Sequence, residues 1–234
     1  DSNRLLLVSE IKQVKDFDFS LTLNDSAISI FLEHQYMDTD EQTFYNEVKR
    51  FKSSCFSTLN LSESCKIIEK SYYEIGNSKL VISNQPVEEF AALLENAVKV
   101  RLRSDVPIGF ASSGGLDSSS ILYTAHKLLS KINPDPDLST FSAIFPGMEG
   151  DESEFIKLIE NDLKIKSHYI NPLEEFNIAD FEKHIYHQDF PVQSTSYYAE
   201  WCVARMVSKQ KVKVLLIGQG GDELLAGYHH HFYR

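Results

Sequence analysis

The sequence is short of cysteine, glycine and proline, and each shortage excludes a class of protein. Its 234 residues contain three cysteines, at positions 55, 65 and 202, without the close pairs typical of zinc sites. The odd number also argues against a disulfide framework and favours a reducing compartment, so we expect a cytoplasmic protein. Ten glycines and seven prolines are too few for a fibrous or low-complexity chain.

Long apolar runs and an excess of positive charge are also lacking. No stretch of about 18 apolar residues occurs, which excludes a membrane-spanning helix of ordinary length. With 23 Lys and Arg against 34 Asp and Glu, the net charge of −11 argues against a general nucleic-acid binder. A small anion can still bind such a chain where backbone N–H groups or a metal ion supply positive charge.

Most of the chain alternates between segments with the patterns of helices and of strands. Apolar residues make up 42% of the sequence, enough for a sizeable core. Strands separated by helices of this length are typical of βαβ units, so we predict an open α/β domain with a parallel sheet. Before residue 85 the pattern predicts a strand over 4–8, a short helix over 25–37, and small strands, turns and loops over 39–84. After it, we predict helices at 86–102, 116–129, 151–163 and 196–209, and strands at 108–112, 138–145, 168–170 and 212–217.

Two glycine-rich turns follow predicted strands of this domain. Residues 112–119 read SSGGLDSS after the first strand, and residues 218–223 read GQGGDE after the fourth. Ligands of open α/β sheets bind outside the carboxyl ends of the strands, where these turns lie. Glycine lets the backbone approach a phosphate, and the following helix offers unpaired N–H groups. The first turn is not a Walker A loop, because no Gly-Lys-Ser/Thr follows.

Each turn also carries an aspartate, Asp117 in the first and Asp222 in the second. A carboxylate beside a phosphate is reasonable where Mg²⁺ bridges the two, so we predict that both aspartates hold Mg²⁺. The alternative is a pair of ordinary turns with capping aspartates. Two such turns in the same strand–turn–helix context favour the nucleotide site.

The motif Ser113-Gly114-Gly115-Leu116-Asp117-Ser118 resembles the pyrophosphate loop of ATP pyrophosphatases. Residues 103–109 (RSDVPIG), 218–224 (GQGGDEL) and Gly227-Tyr228 narrow the resemblance to glutamine-hydrolysing asparagine synthetase. Residues 9–12 resemble the end of that family's glutaminase domain, and residues 43–45 its connecting segment. The resemblance implies the adenine nucleotide α-hydrolase-like fold of ATP pyrophosphatases. The domains would be a glutaminase remnant at 1–15, a connector at 16–84 and a synthetase domain at 85–234, incomplete at its C-terminus.

The resemblance implies a reaction in two steps. The side-chain carboxylate of aspartate would attack the α-phosphate of ATP, releasing pyrophosphate and forming β-aspartyl-AMP. Ammonia from glutamine, hydrolysed in another domain of the same chain, would then displace AMP to give asparagine. Carried onto this sequence, the catalytic residues would be Asp117, Gln219 and Asp222. Residues that would bind the nucleotide or its pyrophosphate are Phe110, Ala111, Ser113, Gly114, Gly115, Asp117, Ser118, Phe145, Ile217 and Gly218.

Gln219 departs from the pattern, because many relatives carry a glutamate there that can act as a base toward ammonia. Glutamine takes no proton at neutral pH, so the sequence leaves open which group acts as the base and which acid is the substrate. Two alternatives follow: an enzyme that adenylates another carboxylate, of β-lactam synthetase-like or peptide-modifying type, and a non-catalytic nucleotide-binding module. A tRNA-modifying pyrophosphatase is disfavoured by the net charge and the absence of paired cysteines.

The ends of the sequence carry an expectation of their own. The family's glutaminase nucleophile is an N-terminal Cys, and a functional Lys lies beyond the family's second turn. Neither has a counterpart within the 234 residues. We therefore expect an interior piece of a longer chain, inactive by itself. A homodimer is compatible with the resemblance, and no nucleic-acid or membrane partner is expected.

Overall fold

A computed structural model describes residues 5–37, 40–59, 67–74 and 84–228. These residues belong to two compact units. The first comprises residues 1–81 with 188–193, and the second comprises residues 82–187 with 194–234. Parts of the predicted connector, at 38–39, 60–66 and 75–83, lie outside the described residues.

The first unit is built from short elements. A 3-10 helix spans Ile11–Asp16, and helix α1 spans Asp25–His34. The side chain of Asn24 caps α1 by accepting from the N–H of Ala27 at 3.2 Å, because Asn is a good acceptor for the free N–H groups of a first turn. Strands β1 (Cys55–Ser57) and β2 (Glu69–Ser71) pair antiparallel.

The strand predicted over 4–8 was wrong for the residues that the structure describes. Residues 5–8 have no regular secondary structure and pair with no described strand. A strand forms only where a neighbour accepts its backbone hydrogen bonds, and an apolar run cannot provide that neighbour. The glutaminase remnant therefore stays a prediction.

The second unit contains a four-stranded parallel sheet with helices between its strands, which confirms the open α/β sheet predicted above. The strand order is β5-β4-β3-β6, with every neighbouring pair parallel. The strands are β3 (Ile108–Ala111), β4 (Ser139–Ala143), β5 (Lys166–Ile170) and β6 (Val214–Leu216). The helices are α2 (Pro86–Arg101), α3 (Leu116–Ser130), α4 (Ser153–Leu163), α5 (Pro172–Glu175), α6 (Ile178–Gln188), α7 (Ser196–Lys209) and α8 (Gly221–Leu225).

The core of this unit lies between the sheet and the helices that connect its strands. Phe110 on β3 is 1% exposed, since a central parallel strand is covered on both faces. It packs with Leu122 and Ala125 of α3, and burying one such side chain contributes about 2 kcal/mol. The cluster is completed by Val98, Leu138 and Ile159.

Helices α5 and α6 are not among the elements predicted from the sequence. They lie between β5 and α7, and α6 packs on α7 through an aromatic cluster and a buried aspartate, Asp180. Asp180 and His184 stand on its buried face, so the apolar stripe that identifies a helix in a sequence is interrupted. Within the described ranges, no helix is both long enough and apolar enough to cross a bilayer.

Strand order identifies where a ligand would bind. The chain leaves β3 for β4 and β5 on one side, then returns to β6 on the other side of β3. The direction of progression reverses between β3 and β6, and a crevice opens at their carboxyl ends. Both glycine-rich turns follow these two strands.

Candidate functional site

The turn after β3 depends on glycine for its shape. Gly114 has a φ of +78°, in the left-handed region that favours glycine. A Cβ at this position would lie 2.9 Å from the Cβ of Phe155 on α4, so the space is closed as well. Gly115 then begins α3 as its N-cap, without a side chain that covers the helix end.

Serine hydroxyls organise this turn from within. The Oγ atoms of Ser113 and Ser118 lie 3.0 Å apart, and the N–H groups of Ser113 and Gly115 donate to Ser118 Oγ at 3.3 Å and Ser113 Oγ at 3.2 Å, respectively. Ser119 donates its hydroxyl proton to the Gly115 carbonyl at 2.6 Å. The turn is therefore preorganised around the N-terminus of α3, where N–H groups and the helix dipole favour an anion.

Ser112, the first residue of this turn, is 4% exposed, and its Oγ has no hydrogen-bond partner among the described residues. Its carbonyl accepts the Ser142 hydroxyl at 2.5 Å, which links the ends of β3 and β4.

The turn after β6 closes against the first turn through its glycines. A Cβ on Gly218 would lie 2.9 Å from the N atom of Ser118, and a Cβ on Gly221 would overlap the carboxylate of Asp117. Gly220 has a φ of +95° and shapes the turn. The structure thus brings together two segments about 100 residues apart in sequence, as predicted for the two turns.

Asp222 lies at the start of α8, and its carboxylate packs against the backbone of Gly227. The hydroxyl of Tyr228 donates to Glu223 Oε1 at 2.9 Å. This bond raises the pKa of Tyr228, and the charges of Asp222 and Asp117 raise it further. Asp222 follows Gly221, against which the Asp117 carboxylate packs, so the two aspartates lie on contacting segments.

Gln219 stands between these glycines and points to helix α7. Its Nε2 donates to Glu200 Oε1 at 3.2 Å, and both side chains are exposed. Glu200 has no motif signal in the sequence, and only the packing of α7 beside the turn identifies it.

The residues predicted to contact the nucleotide fall into different environments. Phe110 packs in the core, as described above, while Ala111 and Phe145 are half-buried at the ends of β3 and β4. Ile217 is 47% exposed beside Gly218. Of these residues, Ile217, Ala111 and Phe145 keep side-chain surface that a ligand could contact.

Asp151 and Glu152 precede α4. Asp151 accepts from the N–H of Phe145 at 3.1 Å and the hydroxyl of Ser153 at 2.7 Å, and these bonds lower the pKa of its carboxyl. Burial, followed by the Asp151 charge, raises the pKa of Glu152. These contacts give Asp151 a structural role at the helix start.

Within the part of the chain that the structure describes, no three His, Cys, Asp or Glu side chains form a cluster that could hold a metal ion. Two carboxylates suit Mg²⁺ nevertheless, because it usually takes one or two protein carboxylates and completes its shell with water and substrate phosphates. Asp117 and Asp222 would offer two carboxylates of that kind.

Comparison with known proteins adds independent observations. The asparagine synthase family model matches residues 89–234. Asparagine synthetase [glutamine-hydrolyzing] 1 of Bacillus subtilis is 28% identical over 97% of this chain and 34% of its own length. Amidase chyE of Penicillium rubens is 29% identical over 96% of this chain and 35% of its own length. The chain therefore spans about a third of the length of these two relatives.

Among solved structures, the U34-tRNA thiolase NcsA of Methanococcus maripaludis is similar, with a TM-score of 0.45 and 17% identity. The match covers 67% of this chain and 59% of that chain.

Proposed function

The chain belongs to the asparagine synthase family, and from this premise we propose that it activates the side-chain carboxylate of aspartate with ATP and converts it to an amide. The observation that carries the proposal is the meeting of the two glycine-rich turns, with Asp117 against Gly221, at the reversal point of the sheet. β-Aspartyl-AMP would be the intermediate, and asparagine, AMP and pyrophosphate the products.

The first turn would hold the pyrophosphate part of ATP. Gly114 and Gly115 leave the backbone open, while Ser113 and Ser118 place hydroxyls beside the N-terminus of α3. An anion gains there from unpaired N–H groups, which offsets the absence of a lysine in the turn. The adenosine part would lie along Ala111, Phe145, Ile217 and Gly218.

Asp117 and Asp222 would hold Mg²⁺, for which their carboxylates are suitable ligands. When bound, the ion would neutralise the negative charge that develops on the departing pyrophosphate. The role of the two side chains is to fix the phosphates in line with the attacking carboxylate, so that positioning and charge compensation carry the step.

The source of nitrogen forms part of the same proposal. Ammonia would come from glutamine in a glutaminase domain of the same full-length chain, and the 234 residues alone would form no amide. A cytoplasmic location and a homodimer stay predictions.

A second candidate is a related enzyme that adenylates another carboxylic acid. Two observations favour it: Gln219 in the second turn, and the 29% identity to a protein named amidase chyE. The two candidates share the adenylation chemistry and differ in the acid.

Pyrophosphate release by the full-length protein tests both candidates. The assay supplies ATP, Mg²⁺ and one carboxylic acid at a time, beginning with aspartate. Release with aspartate supports the first candidate, and release with another acid alone supports the second. A protein that releases pyrophosphate with no acid in a broad panel would be a binding module instead.

A further inference from the structure

The side chains of Gln219 and Glu200 form a hydrogen-bonded pair at the edge of the candidate site. The flanking residues Gly218 and Gly221 both pack on Asp117, so the backbone of Gln219 is held beside the site. Its amide nitrogen is directed to Glu200 Oε1 at 3.2 Å. A carboxylate from another helix thus stands beside the neutral side chain of Gln219.

Helix α7 holds Glu200 in place through neighbours on its buried side. Tyr198 donates to Asp180 Oδ2 at 3.1 Å, Trp201 donates to the same atom at 3.0 Å, and Arg205 pairs with Asp180 at 2.8 Å. Residues on both sides of Glu200 in the sequence are therefore anchored to α6. A carboxylate on such a helix is preorganised, which a group on a free loop is not.

The pair offers two kinds of acceptor to a ligand with N–H groups. Since the amide nitrogen of Gln219 donates to Glu200, its carbonyl oxygen is left to accept, and so is the second oxygen of Glu200. A glutamine alone can accept a hydrogen bond but cannot take up a proton. Glu200 supplies the basic group that Gln219 lacks.

We propose that Glu200 accepts the proton of the attacking amine in the amide-forming step, with Gln219 holding both partners. This inference rests on the proposed function. The nitrogen of ammonia forms a bond to the activated carbonyl carbon, the bond from that carbon to the AMP oxygen breaks, and AMP leaves with the electron pair. The nitrogen loses one proton to Glu200, which is exposed and passes it to water.

The experiment separates the two half-reactions in the full-length protein. Pyrophosphate release is measured with the carboxylic acid that is active in the wild-type assay, without a nitrogen source. Amide formation is then measured with ammonium chloride, so that glutamine hydrolysis does not enter. The variants are E200Q, the exchange variant E200Q/Q219E, and E182Q as a control for the loss of one exposed carboxylate on α6.

E200Q is expected to release pyrophosphate within threefold of the wild type and to form amide about 100-fold more slowly, the contribution of a general base. The exchange variant keeps one amide and one carboxylate in contact and is expected to recover most of the rate. E182Q should match the wild type.

Wild-type amide formation by E200Q would overturn the inference. So would an exchange variant that releases pyrophosphate normally but forms amide as slowly as E200Q. Should E200Q fold poorly, the exchange variant decides alone, because it retains the hydrogen-bonded pair. A wild-type protein that releases no pyrophosphate with any acid would instead overturn the proposed function, and the inference with it.

Discussion

The carboxylate of Asp117 lies directly against the α-carbon of Gly221, so the first residue of α8 leaves no room for a side chain. This contact locks the turn after β3 to the turn after β6. It also gives a reason for glycine at position 221 that does not depend on backbone conformation, because its φ is not in the left-handed region.

The G221A variant tests the importance of this contact. The added methyl group would displace the Asp117 carboxylate, and pyrophosphate release is expected to fall by at least about tenfold, since small misplacements of positioning groups are costly. Gly147 provides the control: it has a φ of +81° and open space around its Cβ position, so G147A is expected to cost about 1 kcal/mol of stability and to keep activity. Equal activity of the two variants would contradict the prediction.

Asp117→Asn and Asp222→Asn test the proposed Mg²⁺ ligands. Each removes one negative charge and keeps the size of the side chain, so the fold should persist while pyrophosphate release falls by about 100-fold. The concentration of Mg²⁺ needed for half-maximal release should also rise. Unchanged Mg²⁺ dependence in both variants would exclude them as ligands.

The Asp180–Arg205 pair is expected to contribute to stability. Asp180 is 8% exposed and accepts from Tyr198, Trp201 and Arg205. D180N would leave the Arg205 guanidinium paired with the Glu175 carboxylate at 2.7 Å, and we expect a loss of about 2 kcal/mol in the free energy of unfolding. Urea unfolding followed by the fluorescence of Trp201, the single tryptophan of the 234 residues, measures this loss. The exposed Asp137 gives the matched control, D137N, with an expected change of less than about 0.5 kcal/mol.

Acid should weaken the packing of α6 on α7. Burial lowers the pKa of His184, and the Asp180 charge offsets this only in part. The folded protein therefore binds fewer protons than the unfolded chain below the ordinary histidine pKa of about 6.5. The contribution of His184 to the free energy of unfolding is fully present above that pH and is lost as the pH falls through the lowered pKa of the folded state. Each such histidine contributes a slope of at most about 1.4 kcal/mol per pH unit.

Unfolding free energies at pH 7.5, 6.5 and 5.5 check this sign. His168, whose pKa is also lowered, first by burial and then by Lys166, should act in the same direction. The H184Q variant should flatten the dependence, whereas H34Q, which alters an exposed histidine of the first unit, should not. Greater stability at pH 5.5 than at 7.5 would contradict the assignment.

The four strands of the second unit and its helices α2, α3, α4 and α7 were predictable because their signals are local. Helix α2 begins at Pro86 with acidic residues in its first turn, and β3 is an apolar run followed by a glycine turn. The pairing of the two turns was predictable as well, since the carboxyl ends of parallel strands share one edge of a sheet.

Two features were not predictable in this way. Residues 5–8 have strand composition without a strand, because pairing depends on a partner elsewhere in the chain. Helix α6 carries Asp180 and His184 on the face that packs on α7, and their burial follows from partners on that second helix.

The sequence by itself determined the alternation of strands and helices and the two glycine-rich turns, each with an aspartate, because these features depend on residue type and spacing. The tertiary structure alone decided which side chains meet. Glu200 reaches Gln219, and Asp117 reaches Gly221, across about 20 and about 100 residues of chain. Such contacts depend on how helices pack and strands are ordered, and residue spacing along the chain does not encode them.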